Sequence, residues 1–419
     1  MDPWIVVDLG FGDAGKGGVV DFLARQTAAP PLVVRYGGGG QAGHAVVTDD
    51  GRSHVFSQVG AGTFVPGSRT LLGPDFVLHP TALLVELRRL AEGGITDAPE
   101  RLAIDGRALV TTPFHQAMNR LRELARGAGA HGTVGVGVGE TVAHALGHPE
   151  EALRAADLQK PGLADRADAI RRRLRSEARG LGVPPSDSAG RELAVLEDHD
   201  LGQRWAEVVA AEAWPVVDGD AALRRALGGP VIFEGSQGVL LDRDHGFFPH
   251  VTHGRCGPEP VHEWLARLGT ATRPTTLGVL RTYLTRHGAG PLPSETDALA
   301  GLPEPTNDGR GWQGTFRRGW FDPILLRYAL DRIGGVAGLA LTHLDAAARA
   351  PEWRQVVRHH GADADSRLDA ATLARVHCEL EAFPRAEDRL VAVTEELLET
   401  PVRIVSRGRP AAAKAWRQV

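Results

Sequence analysis

The sequence predicts an α/β protein. It has a large, mostly parallel central sheet flanked by helices, a P-loop-like phosphate loop after the first strand, and helical insertions. Three observations predict this. The apolar run Ile5–Leu9 leads straight into a glycine loop, Gly10 to Gly18, and then into a helical stretch from about Val19 to Ala28. Pro30 and Pro31 break that helix, and a second run, Leu32–Tyr36, ends in another glycine run, Gly37 to Gly40. Later apolar runs, Val231–Phe233, Leu277–Leu280, Leu339–Thr342 and Val402–Val405, mostly lead into loops rich in Gly, Asp or His. Strand–loop–helix–strand order marks a parallel sheet. Such sheets bind ligands at the carboxyl ends of their strands, so these loops are expected to converge on one site.

The 419 residues read as one domain over 1–419. Residues 150–228, rich in Arg, Ala, Glu and Leu, read as a mostly helical insert with a turn at Pro184–Ser188, and residues 346–400 as charged and helical in character. A net charge of −5 excludes the broadly basic surface of a general nucleic-acid binder. Two cysteines far apart, Cys256 and Cys378, argue against a disulfide framework and fit a reducing compartment. The start lacks the pattern of a signal peptide, and no uncharged apolar run approaches about 18 residues. The expectation is therefore a cytoplasmic protein with no membrane partner.

Gly10-Phe11-Gly12-Asp13-Ala14-Gly15-Lys16 fits G-x-x-x-x-G-K between a strand and a helix. Such glycines let backbone N–H groups curl around phosphate oxygens, the helix N-terminus adds a favourable dipole, and Lys16 is placed to reach terminal phosphates. The next residue is Gly17 rather than Ser or Thr, so no hydroxyl is offered to a metal there. Asp13 would repel an anion unless a cation intervenes, so it is expected to face a metal or to take part in chemistry. The bland alternative is a solvated glycine turn. In the second loop, five glycines among the seven residues before His44 permit close approach to a ligand. His44 then stands as a candidate general acid, although a lone histidine is more often structural.

Taken in order, these motifs resemble the adenylosuccinate synthetase family. Gly12-Asp13-Ala14-Gly15-Lys16-Gly17-Gly18 resembles its G-D-E-G-K-G-K, and Arg35 to His44 its R-Y-x-G-G-H-N-A-G-H. Phe233-Glu234-Gly235-Ser236-Gln237-Gly238 resembles F-E-G-A-Q-G, and Thr285 to Pro291 T-R-V-G-x-G-P. Gly319-Trp320-Phe321-Asp322 resembles G-W-x-D, Leu341 to Asp345 L-T-K-L-D, and Val405 to Gly408 I-S-x-G. The resemblance implies a homodimeric ligase that joins aspartate to inosine monophosphate using GTP and Mg²⁺. By the same resemblance Asp13 takes the N1 proton, and His44 assists phosphoryl transfer as general acid. Gly12, Gly15, Lys16 and Gly17 hold phosphates, and Asp13 and the carbonyl of Gly43 ligate Mg²⁺. Asp345, Ser406 and Gly408 surround the guanine. Asp13, Gln41, Thr133, Val134, Gln237 and Thr252 fall at acceptor-nucleotide positions, and Thr315, Arg317 and Arg318 at the amino-acid loop.

The departures lie on the acceptor and amine sides. The family's N is Gln41. Its G-T-T-G-R-G-I-G-P loop is Gly132 to Glu140, with Val134 and Val136 replacing a threonine and the arginine. Its cross-subunit phosphate arginine has no clear match, Arg154 being the nearest basic residue. Phe316 stands beside the amino-acid-loop arginines. His343 replaces the guanine-side lysine, which leaves ATP as an alternative donor. These changes suggest a specialised paralogue with an altered acceptor, against a divergent enzyme acting on inosine monophosphate. Two other classes compete, a GTP-hydrolysing switch and a catalytically dead binding protein of the same fold.

Overall fold

The computed structural model describes residues 2–305, 311–350, 352–361 and 368–417. An eleven-stranded sheet runs through it. From one edge the order is Lys414–Trp416, Val402–Ser406, Gly338–Thr342, Thr275–Arg281, Trp4–Asp8, Val231–Gly238, Leu32–Gly39, Arg69–Leu78, Leu102–Asp105 and Val216–Val217. Leu109–Val110 also pairs with Arg69–Leu78. Every pairing is parallel except that of the edge strand Lys414–Trp416. Ile5 and Val7 enter the core on one face and Val6 the core on the other. This explains why the first strand reads as a continuous apolar run rather than an alternating one.

The strands Trp4–Asp8 and Leu32–Gly39, joined by the helix Lys16–Arg25, are not neighbours. Val231–Gly238 lies between them and pairs with both. The phosphate loop, the segment Ser236–Gly238 and the loop ending at His44 therefore emerge side by side at the carboxyl ends of three adjacent strands.

The structure corrects several boundaries. The helix begins at Lys16, three residues early, with Gly15 at φ +90° before it. The second strand continues through Gly39, because Gly37, Gly38 and Gly39 pair with Asp75, Phe76 and Val77. A Cβ at Gly38 would stand 2.3 Å from the Ser236 side chain, so the glycine run serves close packing of strands rather than ending one. The strand Arg69–Leu78 was not legible, because Gly73-Pro74 reads as a break. The register steps from Arg35–Leu72 to Gly37–Asp75, so both residues fit into a bulge opposite Tyr36. Within 346–400 the structure has a β-hairpin, Arg354–His360 with His377–Ala382, beside the helix Glu387–Leu398. Residues 150–228 contain the helices Leu163–Ala178, Asp187–Glu197, Leu201–Ala210 and Gly219–Ala226, and the sheet-edge strand Val216–Val217. Among the described residues, no helix is long and apolar enough to cross a membrane.

The helix Pro113–Arg126 carries a buried His115 whose Nε2 lies 3.1 Å from His144 Nδ1. Burial and the facing imidazole push its pKa down to about 3. A histidine depressed in the folded state favours folding only while neutral. Its contribution is complete above about pH 6.5 and is lost as pH falls toward 3, by at most about 1.4 kcal/mol per unit. Denaturant midpoints between about pH 7 and pH 4 are expected to fall along this slope and to flatten in His115→Gln. An equal slope in the variant would remove His115 as the cause.

Candidate active site

The phosphate loop folds around a buried carboxylate. Asp8 accepts N–H bonds from Gly10 (2.8 Å), Gly12 (3.3 Å) and Ala14 (2.8 Å), and an ammonium bond from Lys16 Nζ (3.1 Å). Lys16 Nζ also donates to the Gly12 carbonyl (2.7 Å), and both charged side chains are fully buried. This differs from the sequence expectation. Three loop N–H groups point inward at Asp8, and the Lys16 ammonium lies beneath the loop instead of projecting from it. What remains for an anion is the helix N-terminus, where the first N–H groups have no intrahelical acceptor.

Asp13 sits on the outer side of the loop, its side chain a quarter exposed. Its Oδ2 lies 3.3 Å from His287 Nε2, and its own carbonyl accepts from Arg281 Nε (2.5 Å). Arg281 is in turn ion-paired to Glu304. Burial raises the Asp13 pKa, but the His287 hydrogen bond and the charges of His287, Arg281 and Lys16 outweigh it, holding the carboxyl below its ordinary value. An ionised, partly exposed oxygen donor of this kind fits a hard divalent cation such as Mg²⁺. Gly43, whose carbonyl was the second expected ligand, is exposed.

His44 packs against the same loop. A Cβ on Gly17 would lie 2.8 Å from His44 Cβ and 3.0 Å from its carbonyl carbon, so the first helical turn and His44 are in direct contact. The imidazole is buried. Nδ1 lies 2.5 Å from Glu234 Oε1, and Nε2 lies 3.1 Å from the Ser236 carbonyl. A carboxylate and a carbonyl both only accept, so a neutral ring donates its one proton to one of them, and only a protonated ring donates to both. Burial and the charge of Arg35 hold His44 below the usual imidazole range against the pull of Glu234. Burial raises Glu234, but His44 and Arg35 bring it below the ordinary carboxyl value. Glu234 also accepts from Ala61 N (3.0 Å).

On the acceptor side, Gln41 and Thr252 line one cavity. The amide oxygens of Gln41 and Gln237 are buried with no partner among the described residues. Thr133 is bonded to Asn119 Nδ2 (3.1 Å), and Val134 beside it offers no polar group. In the amino-acid loop, Arg317 is already used: it donates to the Gly288 and Gly290 carbonyls (2.9 and 2.7 Å) and pairs with Glu295 (2.7 Å). Arg318 bonds the Leu302 carbonyl (2.9 Å), lies over the Phe316 ring and leaves its Nε without a partner among the described residues. Thr315 is exposed. The expected base-side residues emerge from adjacent strands. Asp345 pairs with Arg349 (3.0 Å), Ser406 Oγ donates to the Gly408 carbonyl (3.0 Å), and Lys414 Nζ holds the Arg409 and Pro410 carbonyls.

The family profile for adenylosuccinate synthetase matches residues 5–413. The chain belongs to the adenylosuccinate synthetase family. It therefore belongs to a ligase family of purine nucleotide metabolism, whose members bind purine nucleotides. Its fold is similar to that of a fully ligated adenylosuccinate synthetase from Plasmodium falciparum, with 19% identity, TM-score 0.79 and all of both chains covered. It is also similar to that of cyanophage S-2L succinoaminodeoxyadenylate synthetase, a structure bound to dGMP and to dATP as an energy donor. There the identity is 19%, the TM-score 0.64, and coverage 100% of this chain and 96% of that one.

Three site residues of this family member escaped the sequence reading. Asp8 looked like the polar end of a strand. Glu234 was visible in F-E-G-x-Q-G, but nothing local tied it to His44, 190 residues away. His287 stands where the adenylosuccinate synthetase motif has valine, and that exchange was the available signal. Asp8→Asn would remove the only carboxylate ion-paired to Lys16 among the described residues. Breaking a buried pair costs about 3–5 kcal/mol. Chemical denaturation should report a loss of that order, and a change under about 1 kcal/mol would show that the loop does not depend on the pair.

Proposed function

We propose that the chain is a nucleoside-triphosphate-dependent ligase that phosphorylates the 6-oxygen of a purine nucleotide and then replaces it with the amine of aspartate. The observation that carries this reading is that Asp13 and His44 border one phosphate loop, on its outer side and against its first helical turn.

The chemistry needs both. A purine oxygen is a poor leaving group until phosphorylated. In the first step O6 bonds to the γ-phosphorus as the bridge to the β-phosphate breaks, and the N1 proton passes to Asp13. A carboxylate held below its ordinary pKa is a weak base, so this transfer accompanies O6 attack rather than preceding it. In the protonated ring, the His44 Nε2–H turns from the Ser236 carbonyl to the transferred phosphoryl group. Glu234 then stabilises the ring's charge. In the second step the aspartate amine bonds to C6 and phosphate departs. Asp13 and the Gly43 carbonyl would hold Mg²⁺, which would supply neutralisation of phosphate charge. Lys16 contributes its charge from beneath the loop.

GTP is the proposed donor, because the Asp345 carboxylate suits the N1–H and 2-amino donors of guanine. ATP is the alternative, since the cyanophage protein was solved with dATP. Aspartate is the amine, with Arg318 as the carboxylate partner in preference to the occupied Arg317. The acceptor differs from inosine monophosphate. Gln41, Val134 and Val136 alter its loops, and the unpartnered Gln41 and Gln237 oxygens favour a ligand richer in donors, such as a guanine-type nucleotide. A homodimer follows from the family resemblance.

The test offers inosine, guanosine and deoxyguanosine monophosphates with GTP or ATP, Mg²⁺ and aspartate. A succinyl-amino product is expected, fastest from a guanine nucleotide. Much faster turnover of inosine monophosphate would leave an ordinary synthetase, and phosphate release without any acceptor would favour a switch-type GTPase. Asp13→Ala and His44→Ala should each lower turnover by at least about 10²-fold with unchanged circular dichroism. An active double mutant would remove both role assignments.

A further inference from the structure

The hairpin Arg354–His360 with His377–Ala382 carries side chains that the ligase chemistry does not use. Its strands pair His359 directly with Cys378. A register step between Val356 and Arg358 marks a bulge. The extra residue sets His359 on the same inward face as Val356, while Arg358 and His360 stay exposed. The hairpin packs against the helix Pro323–Arg332, whose N-cap is the fully buried Asp322. Asp322 Oδ1 accepts from Ile324 N (3.1 Å) and Leu325 N (3.2 Å), which leaves Oδ2 toward the hairpin, 2.8 Å from His359 Nε2.

A carboxylate oxygen, an imidazole nitrogen and a thiol sulfur thus converge, all within 4.8 Å of one another. Among the described residues, no other three His, Cys, Asp or Glu side chains do so. Asp322 and His359 are buried and Cys378 is half-buried, so the sulfur edge keeps a path to solvent. A cap and a hydrogen bond account for Asp322 and His359, but not for a thiol in the same place. Mixed N, O and S donors suit Zn²⁺, whereas Mg²⁺ takes oxygen. Zinc holds such ligand atoms about 2.0–2.3 Å away, so modest side-chain rotations bring all three onto one ion. His359 Nδ1 is buried with no partner among the described residues, so nothing there fixes the ring's tautomer.

We propose that Asp322, His359 and Cys378 form a site for a divalent ion of the zinc class, bound through Oδ2, Nε2 and Sγ, that clips the hairpin to the start of the helix. The Nε2 proton, given to Asp322 in the metal-free form, passes to Nδ1 and frees the Nε2 lone pair. The thiol proton leaves to solvent, because a coordinating thiol is deprotonated. Water fills the fourth position. The site goes beyond the ligase reading and does not depend on it.

The test titrates the chelator-stripped full chain with Co²⁺ and then Zn²⁺, in excess Mg²⁺. One Co²⁺ per chain is expected, with thiolate-to-cobalt charge-transfer absorption that Zn²⁺ displaces. The other cysteine, Cys256, is fully buried, so loss of the absorption in Cys378→Ala assigns the sulfur. His359→Gln should weaken Zn²⁺ by about a hundredfold, while His360→Gln, on the exposed face, leaves it unchanged. Zn²⁺ should also raise the thermal midpoint of the wild type and not that of Cys378→Ala. Absence of thiolate absorption, its persistence in Cys378→Ala, or equal Zn²⁺ affinity in His359→Gln and the wild type would overturn the site. An equal rise in midpoint for Cys378→Ala would overturn the clip.

Discussion

A buried carboxylate, Glu234, holds the imidazole at the end of the second glycine loop. It is fully buried on the strand that separates the phosphate-loop strand from the strand leading to His44, and it grips both His44 Nδ1 and Ala61 N. The loops around it run closer than side chains permit. A Cβ on Gly238 would lie 2.0 Å from the Gly10 carbonyl oxygen, and one on Gly38 would strike Ser236. The glycines at these positions therefore let three parallel strands deliver their ends to one place, and Glu234 fixes the imidazole among them.

Two buried charge clusters follow from that arrangement. Asp8 with Lys16 shapes the phosphate loop from inside, and Glu234 with His44 and Arg35 shapes the loop beside it. Buried ion pairs add little net stability, because desolvation offsets most of their attraction. Their value here is geometric: dipoles and charges already aimed need not reorganise when phosphate charge develops. Asp13 differs in being partly exposed and held by His287, which leaves it in reach of a ligand and ionised at neutral pH.

Much of the fold was legible because a doubly covered parallel strand leaves a continuous apolar run, and six such runs proved to be sheet strands. The bulged strand Arg69–Leu78 was hidden by Gly73-Pro74, and the hairpin Arg354–His360 by its charged residues. At the site, residue types were readable and their orientations were not. Lys16 sits in the expected motif, yet its direction depends on Asp8, whose burial no local pattern reveals. Arg317 and Arg318 look interchangeable in sequence. Strand alternation separates them, setting Arg317 opposite Arg286 and Arg318 on the side of Phe316, whose register partner is His287.

The central claim is that the acceptor's 6-oxygen becomes a phosphate ester before the amine arrives. The most direct test labels that oxygen with a heavy isotope and follows it by mass spectrometry through one round of reaction. Transfer of the label into inorganic phosphate, one atom per amine installed, is the predicted result. Unlabelled phosphate with the label lost to water, or retained on the purine, would contradict the account.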